Sequence, residues 1–305
     1  MRIGLSGGAA TVERMIEQAK RAEAEGFASL WYASAVAGDP LVAMTLAGQA
    51  TDGIELGTAV LQTYTCHPLL QANRAASVAA AMGRPGFTLG VGPSHRPVIE
   101  DAYGLSYDHP GRHTEEYVRI LAAALGGEAV EFDGEDFRVR AGQRVAKPEV
   151  PVPVLVSALG PRLLRVAGEV ADGTILWMGN ARSIEVHVAP RLRKAAAGAG
   201  RPEPRIVAGL PVAVHDDVAE ARQAAAEQFA GYGVLPNYRR LLDIGGAQGP
   251  ADAAIVGDEA AVRAQIQGLF DAGATDVWAA IFGVGSDPQG SRARTRSLLQ
   301  GLAAS

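Results

Sequence analysis

The sequence predicts an α/β protein in which eight parallel strands close into a (β/α)8, or TIM, barrel. Three observations favour it. Strand and helix patterns alternate eight times along 305 residues. The strand segments are apolar at consecutive positions, as expected for parallel strands covered by helices. The length suits a barrel with insertions. The rival is a doubly wound sheet, whose first βα turn normally reads G-x-G-x-x-G, whereas residues 6–11 read SGGAAT.

The first half of the chain alternates regularly between strands and helices. We predict strands at residues 2–5, 29–33, 54–60 and 87–91, and helices at 11–26, from 40 onwards and at 68–82. Thr11 suits the N-cap of the first helix and Gly26 its C-cap. Asp39 precedes Pro40, and proline fits the first helical turn.

The second half contains longer connections. Residues 129–141 alternate around Asp133-Gly134, which predicts a hairpin. Further strands are expected at 152–157, 174–177, 205–214 and 276–282, and helices at 114–125, 161–171, 183–197, 216–229, 236–244, 259–272 and 291–302. We interpret residues 1–305 as one domain with insertions near 104–150 and 233–257.

Composition limits the possible partners. The net charge is −5 and the sequence has no basic stripe, so nucleic acid and anionic membranes are not expected as partners. With a single cysteine, Cys66, the chain forms no internal disulfide. No apolar segment approaches the roughly 20 residues of a membrane span, and the first residues lack a signal peptide's apolar run. We therefore expect a cytoplasmic protein.

The fourth predicted strand ends in a candidate site that contains Gly90, Gly92, Ser94 and His95. The carboxyl ends of barrel strands form the active-site face, and glycine lets a ligand approach the main chain. Ser94 can cap the next helix or donate to an anion. An ordinary turn with a serine cap is the alternative. A hydrolase is disfavoured because adjacent Ser94 and His95 cannot readily bond as nucleophile and base, and the chain has no G-x-S-x-G elbow.

Other strand ends carry small or aromatic residues. Residues 157–161 leave free N–H groups at a helix start, which suits either a second anion-binding site or an ordinary tight loop. Trp31-Tyr32 and Trp177-Met178-Gly179 suit a flat ring, although such aromatics also serve in packing. His67 is expected to be structural. We predict no metal site at His109 and His113, since no third ligand is evident.

These pieces together resemble the luciferase-like superfamily, and specifically its oxidoreductases that use the deazaflavin coenzyme F420. The resemblance covers nearly the whole chain. The segments that carry it are ASLWYAS at 28–34, IELGTAVLQTYTCHPLLQA at 54–72, GFTLGVGPSHRPVIEDAYG at 86–104, PVLVSALGPRLLRVAGEVADGTILWMG at 153–179 and IVGDEAAVRAQIQGLFDAGATD at 255–276.

The resemblance implies a flavin-like ring at the carboxyl ends of the strands. It places a non-proline cis peptide between Ala59 and Val60. The expected cofactor contacts are Ser34, Ala59, Val60, Gly92, Ser94, His95, Ser157, Ala158, Leu159, Gly160, Trp177, Met178 and Gly179. The expected catalytic residues are His95, as general acid or base, and Trp31. Tyr32 and Tyr64 are expected to shape the substrate side.

The implied reaction is hydride transfer between F420 and a small organic substrate with a C=C, C=N or C=O bond, in either direction. Relatives that oxidise sugar phosphates carry an Asp-His pair where this chain has Ser34 and Ala35, which argues against that substrate. The alternatives are an FMN-dependent monooxygenase fed by a separate reductase, and a non-catalytic flavin-binding protein. The resemblance also implies a homodimer through helices beside the second and third strands.

Overall fold

The structure, a computed structural model, describes residues 1–33, 38–142 and 145–304. Its strands are β1 (Ile3–Gly7), β2 (Ser29–Tyr32), β3 (Glu55–Thr58), β4 (Leu61–Gln62), β5 (Phe87–Gly92), β6 (Val130–Asp133), β7 (Arg138–Gly142), β8 (Val154–Val156), β9 (Gly173–Trp177), β10 (Arg205–Val214), β11 (Ile255–Gly257) and β12 (Asp276–Ile281).

The α-helices lie between and after these strands along the chain. They are α1 (Val12–Ala24), α2 (Pro40–Gln49), α3 (Pro68–Met82), α4 (Pro110–Leu125), α5 (Pro161–Val170), α6 (Ala181–Ser183), α7 (Ala189–Gly198), α8 (Val218–Gln228), α9 (Pro236–Ile244), α10 (Pro250–Ala253), α11 (Glu259–Asp271) and α12 (Pro288–Ala303). None of the described helices is long and apolar enough to cross a membrane.

The main sheet closes into the predicted barrel. Its parallel strands pair in the order β1, β2, β3, β5, β8, β9, β10 and β12, and β12 pairs back onto β1. Each of these strands overlaps one that the sequence predicts. Closure excludes the doubly wound alternative, because an open sheet has two edge strands. The (β/α)8 fold is therefore confirmed.

The two N-caps are as expected, whereas the C-cap of α1 is Glu25, one residue before Gly26, and two connections differ. Thr11 and Asp39 accept hydrogen bonds from the first turns of α1 and α2. Strand β11 was not predicted; it pairs with the last three residues of β10, outside the barrel order, and is too short to stand out in a glycine-rich connection. Helix α4 begins at Pro110 rather than at Thr114, since proline occupies its first turn. The hairpin around Asp133 is confirmed as β6–β7.

The amino-terminal end of the barrel is closed by a charge network. Arg205 donates to Glu55 at 2.8 Å and to Asp276 at 2.7 Å. Arg2 donates to the same two carboxylates, and Thr88 donates to Glu55. Burial alone would raise the pKa of Asp276, but the hydrogen bond and charge of Arg205 hold that pKa below its usual value. Both carboxylates are thus compensated.

Large side chains fill the interior of the barrel. Trp31 and Trp278 belong to a cluster with Leu155, Ile175 and Val207. Two glycines make room for the indoles: a Cβ at position 57 would lie 2.2 Å from Trp31, and one at position 209 would lie 2.0 Å from Trp278. The barrel interior therefore leaves no room for a ligand among the described residues, and a ligand on the barrel axis has to lie beyond the carboxyl ends of the strands.

Candidate active site

A cavity of about 240 Å³ lies at the carboxyl ends of β3, β5 and β8. Many of the predicted cofactor contacts line it together, namely Val60, Ser94, His95, Ser157, Leu159 and Gly160. The first turn of α5 and one face of α9 complete the wall. Larger grooves lie elsewhere, such as one of about 570 Å³ lined by residues of α1, α12, β1 and β12, but none of the predicted site residues line that groove.

Glycines on β5 let the neighbouring strand ends converge on this cavity. A Cβ at Gly92 would lie 2.8 Å from the Cβ of Ser157 and 3.0 Å from a methyl of Val60. A Cβ at Gly90 would lie 2.0 Å from the carbonyl oxygen of Thr58. The Ala59–Val60 peptide is cis, as the resemblance implies. The two glycines thus give Val60 and Ser157 their close approach.

Ser94 has a left-handed main chain, with φ of +64°. Two side chains hold it: the Tyr107 hydroxyl donates to its carbonyl at 2.7 Å, and Gln62 donates to its Oγ at 3.3 Å. Non-glycine residues rarely adopt this conformation, and strained conformations of this kind cluster at functional sites. Met178, at the end of β9, is the other described non-glycine residue with positive φ, at +63°.

His95 presents an imidazole with no hydrogen bond or ion pair to any residue that the structure describes. Its ring centroid lies 5.6 Å from that of Tyr238. Burial lowers the pKa of His95 below its ordinary value of 6.5. The imidazole is therefore neutral at neutral pH, and it can accept a proton within the cavity.

The first turn of α5 brings uncapped main-chain donors to the cavity. Gly160 occupies the N-cap, no side chain caps the helix, and Pro161 follows. The first N–H groups of a helix have no helical acceptor, and the helix dipole favours an anion beside them. Arg162 and Arg240 line the same part of the cavity. This region suits an anionic group, as predicted for the loop at 157–161.

A row of aromatic rings fills the remainder of the mouth. Trp177 stacks on Trp278 with centroids 5.1 Å apart, and Tyr232 connects Trp177 to Tyr238 through centroid distances of 5.7 and 5.0 Å. Trp177 does not line the cavity. Met178 is 1% exposed and Ala158 is fully buried, so their side chains serve packing. Gly179 packs near Leu176 and Ser183.

Several predicted residues lie away from the cavity. Trp31 faces the barrel interior and donates to Ser29 at 2.8 Å, while Tyr32 faces outward and donates to the carbonyl of Met15 at 2.9 Å. Alternation along β2 sends these neighbours to opposite sides, and both are buried. Neither Trp31 nor Tyr32 therefore reaches the cavity. Tyr64 stacks on His113 with centroids 3.9 Å apart. Ser34 lies outside the described residues.

The sequence patterns did not reveal several residues of the site, among them Tyr107, Tyr238 and Arg240. They come from the two predicted insertions, far along the chain from the strand ends that they meet. The only available signal was the helical pattern over residues 236–244, which gave no indication of the face that meets the barrel. Among the described residues, no group of three potential ligands is placed to hold a metal ion.

A closed (β/α)8 barrel with a small cavity at its carboxyl-terminal mouth defines an enzyme-like site. The profile of the family "Luciferase-like monooxygenase" matches residues 2–305. The chain therefore belongs to the luciferase-like family.

The chain is also similar to individual relatives and, in fold, to a solved structure. A 5,10-methylenetetrahydromethanopterin reductase from Methanolobus tindarius is 28% identical over 94% of this chain and 87% of its own length. An F420-dependent glucose-6-phosphate dehydrogenase from Beutenbergia cavernae is 35% identical over 51% of this chain and 47% of its own. The structure of the F420-dependent tetrahydromethanopterin reductase from Methanopyrus kandleri superimposes with a TM-score of 0.74 at 21% identity, covering 98% of this chain and 97% of that one.

Proposed function

We propose that this protein is an oxidoreductase that transfers a hydride between coenzyme F420 and a small organic substrate with a C=O, C=N or C=C bond. The observation that carries the proposal is the composition of one cavity, which joins a neutral imidazole to a helix start with uncapped main-chain donors. The F420-dependent relative from Beutenbergia cavernae supports the choice of cofactor.

The residues of the cavity fit such a cofactor. Val60 and Leu159 offer apolar surface for a flat ring, and the glycines of β5 leave the main chain bare beside them. The donors at the start of α5 suit a phosphate. When bound, the deazaflavin supplies or accepts the hydride. The protein contributes position, exclusion of water and a place for the proton.

We assign the transfer of the substrate's proton to His95. In oxidation of an alcohol, the neutral imidazole accepts the hydroxyl proton as the hydride leaves carbon. In reduction, the imidazolium returns that proton to the developing oxyanion. The left-handed turn at Ser94, held by Tyr107 and Gln62, fixes where the His95 side chain enters the cavity.

An FMN-dependent monooxygenase, supplied by a separate reductase, is the second candidate. The description of the family supports it, since its members are named as monooxygenases. FMN also carries an aromatic ring and a phosphate, so the same cavity suits it. The two functions differ in whether oxygen is consumed.

A paired titration distinguishes the candidates. Purified protein is titrated with F420 and with FMN, and oxygen uptake is followed with each reduced cofactor and a panel of ketones, imines and enones. We expect tighter binding of F420, turnover of at least one substrate and no oxygen uptake. Preferred FMN binding with oxygen consumption would favour the monooxygenase. Tight binding without turnover would favour a non-catalytic flavin-binding protein.

We also propose a cytoplasmic homodimer formed through α2 and α3. Val42 and Leu46 on α2 and Leu70 on α3 are exposed apolar side chains on these two helices. Large apolar residues exposed together are typical of protein interfaces. Light scattering of Leu46→Glu against wild type tests this, because a charge in the interface is expected to shift the protein towards monomer.

A further inference from the structure

The charge on the cavity wall is unevenly distributed. Val60, Ser94, Ser157 and Leu159 carry no charge, and His95 is neutral at neutral pH. The positive charge lies with Arg162 and Arg240, beside the first turn of α5. The cavity thus runs from uncharged strand ends to a cationic edge.

The two arginines differ in how far their charge is compensated. Arg162 donates to Glu115 at 2.8 Å, and the same carboxylate binds Arg119 and Arg165. Arg240 makes no hydrogen bond or ion pair with any residue of the described ranges, and it is exposed. Its Nη1 atom lies 3.6 Å from where a Cβ on Gly160 would stand. Arg240 is therefore the cation of this cavity that remains available to a ligand.

Helix α9 holds Arg240 in this position. Asn237, Tyr238 and Arg240 all line the cavity. The neighbouring Arg239 fastens α9 to the following loop by donating to the carbonyls of Ala247 and Gln248, each at 2.6 Å. A helix that is fixed before binding loses less freedom when the ligand arrives, so α9 presents Arg240 from a fixed main chain.

We propose that Arg240 binds the anionic tail of the cofactor and makes the site selective for F420 over a deazaflavin that ends at ribitol. This inference rests on the proposed function. F420 continues beyond its ribityl chain into a phosphodiester and then carboxylates, whereas FMN ends at its phosphate. Both anions match the planar fork of a guanidinium, which binds two oxygens at once. The cationic edge beside α5 receives the tail, and the uncharged strand ends are left for the ring.

The test measures binding rather than turnover. Wild type, Arg240→Ala, Arg240→Lys and the control Arg263→Ala are titrated by fluorescence with F420, with the deazaflavin monophosphate and with the deazaflavin that ends at ribitol. Arg263 is an exposed arginine of α11 that does not line the cavity. Circular dichroism of each variant verifies folding.

We expect Arg240→Ala to weaken F420 binding about 10-fold or more, as for loss of a charge-assisted hydrogen bond. Arg240→Lys keeps part of the affinity, Arg263→Ala keeps all of it, and binding of the ribitol compound is unchanged throughout. A loss shared by the monophosphate identifies phosphate as the anion; a loss confined to F420 identifies the carboxylates.

Two results overturn the inference while leaving the proposed function intact. One is that Arg240→Ala binds F420 as tightly as the wild-type protein does. The other is an equal loss of affinity for the ribitol compound, which would mean that Arg240 acts on the ring or on the fold. Failure of the wild-type protein to bind F420 at all would instead remove the proposed function, and the inference with it.

Discussion

The charged and polar side chains at the two ends of the barrel differ in whether they have partners within the protein. At the amino-terminal end, Arg2 and Arg205 compensate Glu55 and Asp276 completely within the fold. At the carboxyl-terminal end, the imidazole of His95 and the guanidinium of Arg240 face a cavity without partners among the described residues. Groups satisfied at one end stabilise the barrel, while those left free at the other are available to a ligand.

The main chain shows the same contrast. The two described non-glycine residues with positive φ, Ser94 and Met178, both lie at the carboxyl ends of barrel strands. Such conformations cost roughly 1–3 kcal/mol each and persist only where the surroundings impose them. Among the described residues, the barrel therefore concentrates these unfavourable conformations at its carboxyl-terminal end, so substitutions at the two ends are expected to have different effects.

The largest effect is expected at the amino-terminal end. Arg205→Ala leaves Glu55 and Asp276, both largely buried, with Arg2 as their remaining cationic partner, and breaking a buried ion pair costs roughly 3–5 kcal/mol. We expect a loss of about 3 kcal/mol in the free energy of unfolding, measured with urea. The exposed control Arg263→Ala should stay within about 0.5 kcal/mol of wild type. A loss below about 1 kcal/mol for Arg205→Ala would show that the network is dispensable.

The second-largest effect is expected at the carboxyl-terminal end of the barrel. His95→Ala removes the proposed proton carrier, and we expect turnover to fall about 100-fold, with cofactor affinity and stability close to wild type. His109→Ala is the matched control, since His109 is exposed and its side chain caps nothing. Steady-state kinetics with the best substrate of the panel provide the measurement. Unchanged turnover in His95→Ala would remove its assigned role.

Local sequence signals predicted the barrel well because each strand and helix carries its own pattern. Helices α3 and α9 and strand β10 have the predicted bounds, marked by proline at the helix starts and by continuous apolar residues in the strand. The convergence of small residues at the strand ends was also predictable, since parallel strands bring their carboxyl ends to one face of the barrel. Val60, His95 and Leu159 accordingly share a cavity.

Orientation and long-range partners were not predictable in the same way. A β-strand pattern that is apolar on both faces does not say which of Trp31 and Tyr32 enters the barrel. The predicted helix over residues 114–125 would place Glu115 and Glu116 in its first turn. Because α4 begins at Pro110, they lie inside the helix: Glu115 binds arginines of α4 and α5, and Glu116 accepts main-chain N–H groups of the hairpin loop. Arg240 was missed for the same reason.

A pH profile of activity tests the carboxyl-terminal end of the barrel through the titration of His95. Burial lowers the pKa of His95, so the native protein keeps the imidazole neutral to a pH below the ordinary value of 6.5. A general base must be neutral, so kcat/KM for alcohol oxidation should stay level from about pH 8 down to about pH 6.5 and fall only below that. In His95→Ala this acid limb should vanish. A wild-type midpoint above 6.5 would contradict the burial that we assign to the imidazole.

The smallest effect is expected at Ser94, where two substitutions distinguish the cost of the main-chain conformation from the contribution of the hydroxyl. Ser94→Ala removes the hydroxyl and keeps a Cβ at φ of +64°, whereas Ser94→Gly removes both the hydroxyl and the steric cost of that Cβ. Left-handed backbone costs a non-glycine residue roughly 1–2 kcal/mol, partly offset by the greater freedom of glycine in the unfolded chain. We therefore expect Ser94→Gly to be more stable than Ser94→Ala by about 0.5–1 kcal/mol in urea unfolding. Equal stabilities would mean that Tyr107 and Gln62 do not hold the turn against an unfavourable conformation, and that the contrast between the barrel ends is one of charge alone.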